Sequence, residues 1–495
     1  MATSPASGAF HFVIGGAGFL GSSIVRLLLG RGEKHVAVFD LSPAPPKLKH
    51  EGVQYFIPGD LTSEQSLTDA LLTFVGEKGG PETVIYHTAS PAASAAPKPE
   101  LYEKVNVKGT RNVIEVARKL KVRKLVFTSS AGVVFDGHDL LNVDERLPYP
   151  TPAMDHYNDT KARAEVMVCL ASGSPSDPSA LLTVALRPAG IFGPNDRQAL
   201  PGFFDVLKTR RTNFQIGNNE NLFDWTYVDN VAHAHLLAAD KLGAPALLGA
   251  GAAGGAGADG ARELGTVHLA DPVLGDDEKK SARARKVPTS EDRPSPPAPS
   301  KDYARLLPST LSPETLASNL DVRPVIRNRF DQFWSYIRTQ EAAQSQQASE
   351  KSGGDGADSL GVAGQTFFIT NGAPVPFWDF PRALWFRYFA QAQASGALTA
   401  EQAKKYSPTP AAKAFVLPKQ LGLVLASAAE AFGAISGRTV LFTRFKVTYT
   451  ASARYHNIEK ARRVLGYEPM VGMEEAINRS VEWWTSEHPA NEYLK

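Results

Sequence analysis

The stretch HFVIGGAGFLG, residues 11–21, decides the fold. Residues 11–14 form an apolar run that reads as a buried strand. Gly15, Gly18 and Gly21 follow at three-residue intervals, and residues 22–29 read as a helix. Each glycine suits one task in holding a dinucleotide. Gly15 permits the tight turn out of the strand, and Gly16 adds freedom to it. Gly18 lets the backbone approach a pyrophosphate, and Gly21 lets the helix pack closely on the sheet. The helix start then offers free N–H groups and the positive end of its dipole to the phosphates. The spacing differs from the commoner G-x-G-x-x-G, so the placement between strand and helix carries the reading.

Outward from this loop, short apolar runs alternate with helical stretches. Residues 35–40, 53–57, 83–87, 123–128 and 181–186 read as strands. Residues 63–75, 101–119, 158–171 and 231–242 read as helices. This alternation predicts an α/β fold: a Rossmann-type doubly wound parallel sheet with a smaller C-terminal substrate lobe and a long low-complexity insertion. Residues 8–243 are assigned to the dinucleotide-binding domain with the catalytic residues and part of the lobe. Residues 363–495 are assigned to the C-terminal lobe, with a strand at 366–370 and helical punctuation over 454–484. Between them, 244–362 is an insertion rich in Gly and Ala, then Pro and Ser, then Gln and Ser. Such composition buries too little apolar surface to offset chain entropy, so disorder is expected there. Within it, 321–338 has helical spacing of aromatics and arginines.

The chain has 495 residues and a formal charge of +2, which gives no electrostatic case for nucleic acid. Its single cysteine, Cys169, excludes an intrachain disulfide and suits a reducing compartment. Cys169 reads as a buried small apolar residue on the helix after Lys161. The N-terminus lacks a basic segment before its apolar run, so no signal peptide is expected. No apolar run reaches the length of a membrane span. His233 and His235 would diverge on a helix, and no metal is expected.

Three further positions suit redox chemistry. Asp40 ends the second strand, where a carboxylate accepts hydrogen bonds from ribose hydroxyls and repels a 2′-phosphate. NAD is therefore expected, with NADP still allowed. Asp60, followed by Leu61, reads either as an adenine contact or as the N-cap of the next helix. Tyr157 and Lys161 stand one helical turn apart and share a face. A phenol is a poor base at neutral pH, and the neighbouring ammonium together with the charged nicotinamide is expected to lower its pKa, Lys161 also holding the nicotinamide ribose. Upstream, Ser130 would support a developing oxyanion, with Ser129 as the other candidate.

The glycine loop, SSAGVVFDG (129–137), YNDTK (157–161) and RPAGIFGP (187–194) resemble the extended short-chain dehydrogenases/reductases, within them the 3β-hydroxysteroid dehydrogenase group. HTASP (87–91), NVKGT (106–110), FDWTYVDNVAHAH (223–235), FFITNGAPVPFWDF (367–380) and RYHNIEKARRVLGYEP (454–469) are similar to the fungal sterol-4α-carboxylate 3-dehydrogenases (decarboxylating). The likeness covers roughly 8–243 and 366–495, and the long insertion departs from it. The resemblance implies Ser130, Tyr157 and Lys161 as the catalytic set. It implies a cofactor site of Gly15, Gly18, Phe19, Leu20, Gly21, Asp40, Asp60, Leu61, His87 to Ser90 (including Ala89), Tyr157, Lys161, Pro188 and Ile191. Asn106 would support the catalytic helix. The implied reaction is oxidation of a 3β-hydroxyl on a 4α-carboxysterol with loss of carbon dioxide. Other enzymes of the fold, such as epimerases, share the same triad, and a non-catalytic NAD-sensing scaffold is the rival of another class. The resemblance also implies a sterol as partner and peripheral attachment to the cytosolic face of the endoplasmic reticulum membrane. It leaves room for a homodimer and for other sterol-demethylating enzymes as partners. Phe377, Trp378, Phe380, Trp385, Phe386, Tyr388 and Phe389, with the run 421–429, supply apolar bulk, either for a sterol channel or for ordinary core.

Overall fold

A computed structural model describes residues 6–243 and 362–494, apart from 77–78, 93–98, 146, 148, 174, 176, 410–412, 438–439, 441 and 459. The expected disorder of the insertion, and the helix over 321–338, lie outside the described residues.

Seven parallel strands form the main sheet: β1 (Phe10–Ile14), β2 (His35–Phe39), β3 (Val53–Phe56), β4 (Thr83–His87), β5 (Lys124–Thr128), β7 (Leu182–Pro188) and β12 (Gln365–Ile369). Their order is β12-β7-β5-β4-β1-β2-β3. Rich in Val, Ile, Leu and Phe, they are apolar on both faces, as a sheet covered by helices on both sides requires. On one face α1 (Phe19–Gly30) and α7 (Val228–Lys241) pack through Ile24, Leu28 and Val231. On the other, α2 (Glu64–Val75), α4 (Thr110–Lys119) and α5 (His156–Leu170) pack through Leu71, Val113, Ala164 and Val168. Strand order reverses between β1 and β4. The crevice at such a reversal, outside the strands' C-terminal ends, is where this architecture binds ligands.

Two expectations are corrected. The strand expected at 366–370 runs over Gln365–Ile369 and pairs in parallel with β7 as an edge of the main sheet. The boundary at 363 therefore cuts the dinucleotide sheet, and the lobe proper begins after β12. Second, the helix expected over 101–119 is not uniform. α3 (Pro99–Tyr102) and α4 are joined by wide π turns over Glu103–Gly109.

The lobe is built from both halves of the chain. Its four-stranded sheet runs β13-β10-β15-β6, with β6 (Leu140–Val143), β10 (Leu222–Phe223), β13 (Val375–Pro376) and β15 (Arg454–His456). Two further pairs join β8 (Gly190–Phe192) to β11 (Trp225–Tyr227) and β9 (Phe214–Ile216) to β14 (Phe415–Leu417), and α6 (Ala199–Lys208) packs into the lobe's core. Phe377, Phe380, Trp385 and Tyr388 are buried together with Phe204, Trp225 and Trp484, so these aromatics form core and not an open channel. The run 421–429 belongs to a longer helix, Lys419–Ser436, whose small residues Gly422, Ala426 and Gly433 face the protein.

Candidate active site

The glycine loop closes around its own backbone. Gly15 has φ +81°, and a Cβ there would come within 2.8 Å of the Ala89 nitrogen, so the loops after β1 and β4 touch. A Cβ on Gly21 would stand 2.1 Å from the Gly15 carbonyl oxygen. Gly21 thus packs on the loop itself. Gly18 caps α1 in an extended conformation, and its missing Cβ would meet only the Gly15 oxygen, at 3.1 Å. Its outer side is open. The N–H groups of Phe19 and Leu20 belong to the first turn of α1, where no intrahelical acceptor exists and no acidic side chain stands. Their side chains are tucked against the core.

Asp40 lies just past β2. Its Oδ2 accepts from the Ala17 N–H at 3.0 Å and its Oδ1 from the Ser42 N–H at 3.1 Å. Each oxygen keeps a lone pair for a ribose hydroxyl. Asp60 accepts from the Thr62 hydroxyl at 2.7 Å and the Thr62 N–H at 2.8 Å, which lowers its pKa, chiefly through the hydroxyl. It does not cap α2. Ser63 does, accepting from the Ser66 N–H. Leu61 is buried against Gly109, and its carbonyl accepts from Asn112 at 3.1 Å, so its N–H is the backbone donor it offers a ligand.

His87 lies beneath the site and does not line it. It is fully buried, 3.0 Å from the Thr110 hydroxyl, and burial pushes its pKa down to about 3. Ala89 and Ser90 are half-buried at the crevice. Ser90 donates to the Asn106 side-chain oxygen at 3.0 Å, and the Asn106 amide donates to the Thr160 hydroxyl at 3.0 Å. That chain ties the β4 loop to α5. Pro188 is buried at the end of β7, and Ile191 is half-buried in β8.

α5 carries the catalytic candidates. Asp155 caps it, accepting from the Asn158 N–H at 2.7 Å. Tyr157, Lys161 and Glu165 follow at four-residue spacing along one face. The two serines separate cleanly. Ser129 is buried, and its hydroxyl has no partner among the described residues. Ser130 is half-buried and accepts from the Gly132 N–H at 3.0 Å. Ser130, not Ser129, acts on Tyr157: its hydroxyl holds the phenol's pKa below where burial alone would put it.

Lys161 is not among the groups that lower the Tyr157 pKa in this structure. Burial pushes Tyr157 up to about 12, and the Ser130 hydroxyl offsets part of that rise. Burial also pushes Lys161 down to about 7, against the pull of Glu165. Lys161 Nζ donates to the Thr128 carbonyl at 2.9 Å and lies 4.9 Å from the Phe127 ring centroid. Removal from water outweighs the attraction between the two side chains.

Several site residues escaped sequence reasoning. Glu165 and Arg187, both buried, form a multiply bonded pair between α5 and β7, with Nε–O distances of 3.0 and 3.1 Å. Tyr102 stacks edge-on to Tyr157 at 5.8 Å, and the Tyr449 phenol also acts on Tyr157. Glu165 stands in the same register as Tyr157 and Lys161, a signal that was available. Tyr449 lies 292 positions beyond Tyr157 and left none. Cys169 is half-buried with its thiol pushed up by burial. His235 bonds Thr128 at 2.7 Å while His233 faces Tyr467. Among the described residues no group of His, Cys, Asp or Glu could hold a metal ion. The open face of Gly18, the unpaired first turn of α1 and the spare lone pairs of Asp40 fit a dinucleotide.

The chain matches the 3-beta hydroxysteroid dehydrogenase/isomerase family over residues 12–250. It is 32% identical to sterol-4-alpha-carboxylate 3-dehydrogenase ERG26, decarboxylating, of Saccharomyces cerevisiae, covering 95% of this chain and 96% of that protein. The Schizosaccharomyces pombe protein of the same description is 34% identical over the same shares. The Mus musculus sterol-4-alpha-carboxylate 3-dehydrogenase, decarboxylating, is 44% identical across 48% of this chain and 61% of its own. Among solved structures, Pal from Bacillus thuringiensis has TM-score 0.51 at 14% identity, covering 96% of this chain and 99% of that one. The epimerase Mth375 from Methanothermobacter thermautotrophicus has TM-score 0.50 at 15%, covering 97% and 94%. These two likenesses concern the fold alone.

Proposed function

This chain belongs to the family of the sterol-4-alpha-carboxylate 3-dehydrogenases (decarboxylating), and from that premise we propose that it oxidises the 3β-hydroxyl of a 4α-carboxysterol with release of carbon dioxide. One observation carries the reading. Ser130, just past the C-terminal end of β5, acts on the Tyr157 phenol in the first turn of α5, one helical turn from Lys161 and beside the crevice that begins at the glycine loop. Gly15, Gly18 and Gly21, with the N–H groups of Phe19 and Leu20, would hold the pyrophosphate of NAD. Asp40 would take the adenosine ribose, and Asp60 with the Leu61 N–H the adenine. Ala89, Ser90, Pro188 and Ile191 would border the nicotinamide half. NAD, when bound, accepts the hydride from carbon 3, and its nicotinamide carries a positive charge.

Tyr157 takes the hydroxyl proton as the carbon–hydrogen bond breaks. Ser130 donates to the developing alkoxide. A phenol at about 12 does this poorly. Bringing the Lys161 ammonium off the Thr128 carbonyl and toward the ribose and phenol would lower that value and hold the lysine charged. The product is a ketone β to a carboxylate. Its C4–carboxyl bond breaks with the electron pair passing to the ketone oxygen, and carbon 4 then takes a proton. This requires no metal, because the adjacent carbonyl accepts the electrons.

Peripheral attachment to the endoplasmic reticulum membrane suits an insoluble substrate. No described helix is long and apolar enough to cross a membrane. The Lys419–Ser436 helix exposes Leu421, Val424, Leu425, Phe432 and Ile435, the last at 87%, near the exposed Phe415, Val416 and Phe445. Such a face suits the bilayer interface. The test of the reaction is direct. Protein given NAD and a 4α-carboxysterol should release carbon dioxide and reduced cofactor together. Absence of both would remove the substrate assignment.

A further inference from the structure

Arg454, the first residue of β15, is a buried cation with no carboxylate partner among the described residues. It is 8% exposed, and burial lowers its pKa against the pull of the Tyr449 phenol, with no carboxylate acting on it. Its Nη2 donates to the Tyr449 carbonyl at 2.9 Å. Its Nε has no partner among the described residues. Three aromatic faces surround the guanidinium: Tyr449 at 3.6 Å, Phe135 at 4.6 Å and Phe223 at 4.6 Å. Two other buried arginines have close carboxylate partners. Arg187 is bonded to Glu165, and Arg31 to Glu33 and Asp240. A desolvated guanidinium left without a counter-charge is costly, and departures of this kind concentrate where a ligand supplies the missing group.

The three rings also fix where the guanidinium stands. Phe135 ends the turn that starts at Ser130. Tyr449 acts on the Tyr157 phenol. Phe223 packs against Gly190, where a Cβ would come within 2.9 Å of its ring, beside Pro188 and Ile191. Arg454 is therefore walled in by side chains that lead to the turn after Ser130, to the surroundings of Tyr157 and to the Pro188–Ile191 loop.

We propose that Arg454 binds the C4 carboxylate of the substrate. The inference rests on the function proposed above. Carbon 4 adjoins carbon 3, so a substrate whose 3-oxygen lies between Ser130 and Tyr157 carries its carboxylate on the neighbouring carbon. The unpartnered Nε of the planar guanidinium can donate to a carboxylate oxygen, and its charge matches the acid. The aromatic walls exclude water and strengthen the pairing. Arg454 thus acts as a binding residue that selects the acid over neutral sterols. It orients carbon 3 for oxidation and takes no part in proton transfer.

The test compares the 4α-carboxysterol with its 4α-carboxamide, in wild-type protein, Arg454→Met and Arg454→Lys. The expected acid-to-amide ratio in kcat/KM, or in inhibition constants where the amide turns over too slowly, is roughly a hundred in wild type. It falls to about one in Arg454→Met and to an intermediate value in Arg454→Lys. A purely structural role predicts that both compounds lose in proportion, with the ratio unchanged, and that result overturns the proposal. So does a wild-type ratio near one, which decides the matter even where Arg454→Met fails to fold. Wild-type protein inactive on the acid refutes the proposed function. Active protein with an unchanged ratio refutes only the role of Arg454.

Discussion

Glu165→Gln tests what holds the catalytic helix in place. The carboxylate is fully buried and faces Arg187, which is 1% exposed. Arg187 Nε reaches both oxygens, Nη2 reaches Oε1 at 2.6 Å, and the Tyr149 hydroxyl also donates to Oε1. The amide keeps the shape and removes the charge, leaving a guanidinium buried between the Tyr149 and Phe368 rings without its counter-ion. Breaking one side of such a pair costs about 3–5 kcal/mol. Whole-domain stability is only ~5–15 kcal/mol, so the loss is a large share of it. With a urea slope of about 3 kcal/mol per molar, the unfolding midpoint falls by roughly 1–2 M. The double variant Glu165→Gln/Arg187→Met removes both charges and should recover most of that loss, since a paired charge gains little over an apolar filling. The measurement is urea unfolding followed by tryptophan fluorescence. A Glu165→Gln midpoint within about 0.3 M of wild type, or a double variant no better than the single, would refute the reasoning.

Lys161 makes stability depend on pH. Its folded value of about 7 lies below its ordinary 10.5, so the unfolded chain binds one more proton between them. Stability should therefore rise with pH across that window, with the burial cost complete below 7 and gone above 10.5. Lys161→Met should flatten this rise in urea unfolding measured from pH 7 to 9.5, and equal slopes in the two proteins would contradict it. Gly21→Ala places a methyl 2.1 Å from the Gly15 oxygen and must displace the loop. NADH affinity by fluorescence titration should fall at least ~10-fold, the equivalent of about 1.4 kcal/mol, and unchanged affinity would refute the cradle. Phe432→Glu/Ile435→Glu alters two exposed side chains and should reduce co-sedimentation with phosphatidylcholine vesicles while leaving thermal stability within about 0.5 kcal/mol. Undiminished sedimentation would point to another membrane contact.

The strand–loop–helix at residues 11–29 was legible because its signal is local: an apolar run, three spaced glycines and a helix that follows at once. The spacing of Tyr157 and Lys161 was legible for the same reason. Contacts made over long separations were not. The lobe sheet pairs β6 with β15, and Asp139 accepts from the Ala453 N–H 314 residues away. No local pattern records such a pairing. β12 likewise joins β7 across the whole insertion, so a boundary drawn from composition cut through the sheet. Side-chain direction was the other gap. Leu61 follows Asp60 in sequence, yet its apolar side chain is drawn under Gly109. Ser129 and Ser130 are neighbours whose hydroxyls are turned apart, because alternate residues leaving a strand face opposite ways. Lys161 was rightly set one turn from Tyr157, but helical spacing carries no information about the Thr128 carbonyl that holds its amine.

The central claim is that the Tyr157 hydroxyl is the group that takes the substrate proton. Tyr157→Phe removes that oxygen and leaves the ring beside Tyr102. The measurement is release of carbon dioxide and NADH from a 4α-carboxysterol, with NADH affinity measured on the same preparation. The account predicts affinity within about threefold of wild type and turnover lower by ~10²–10⁴-fold. Turnover within tenfold of wild type, with the cofactor bound normally, would contradict it.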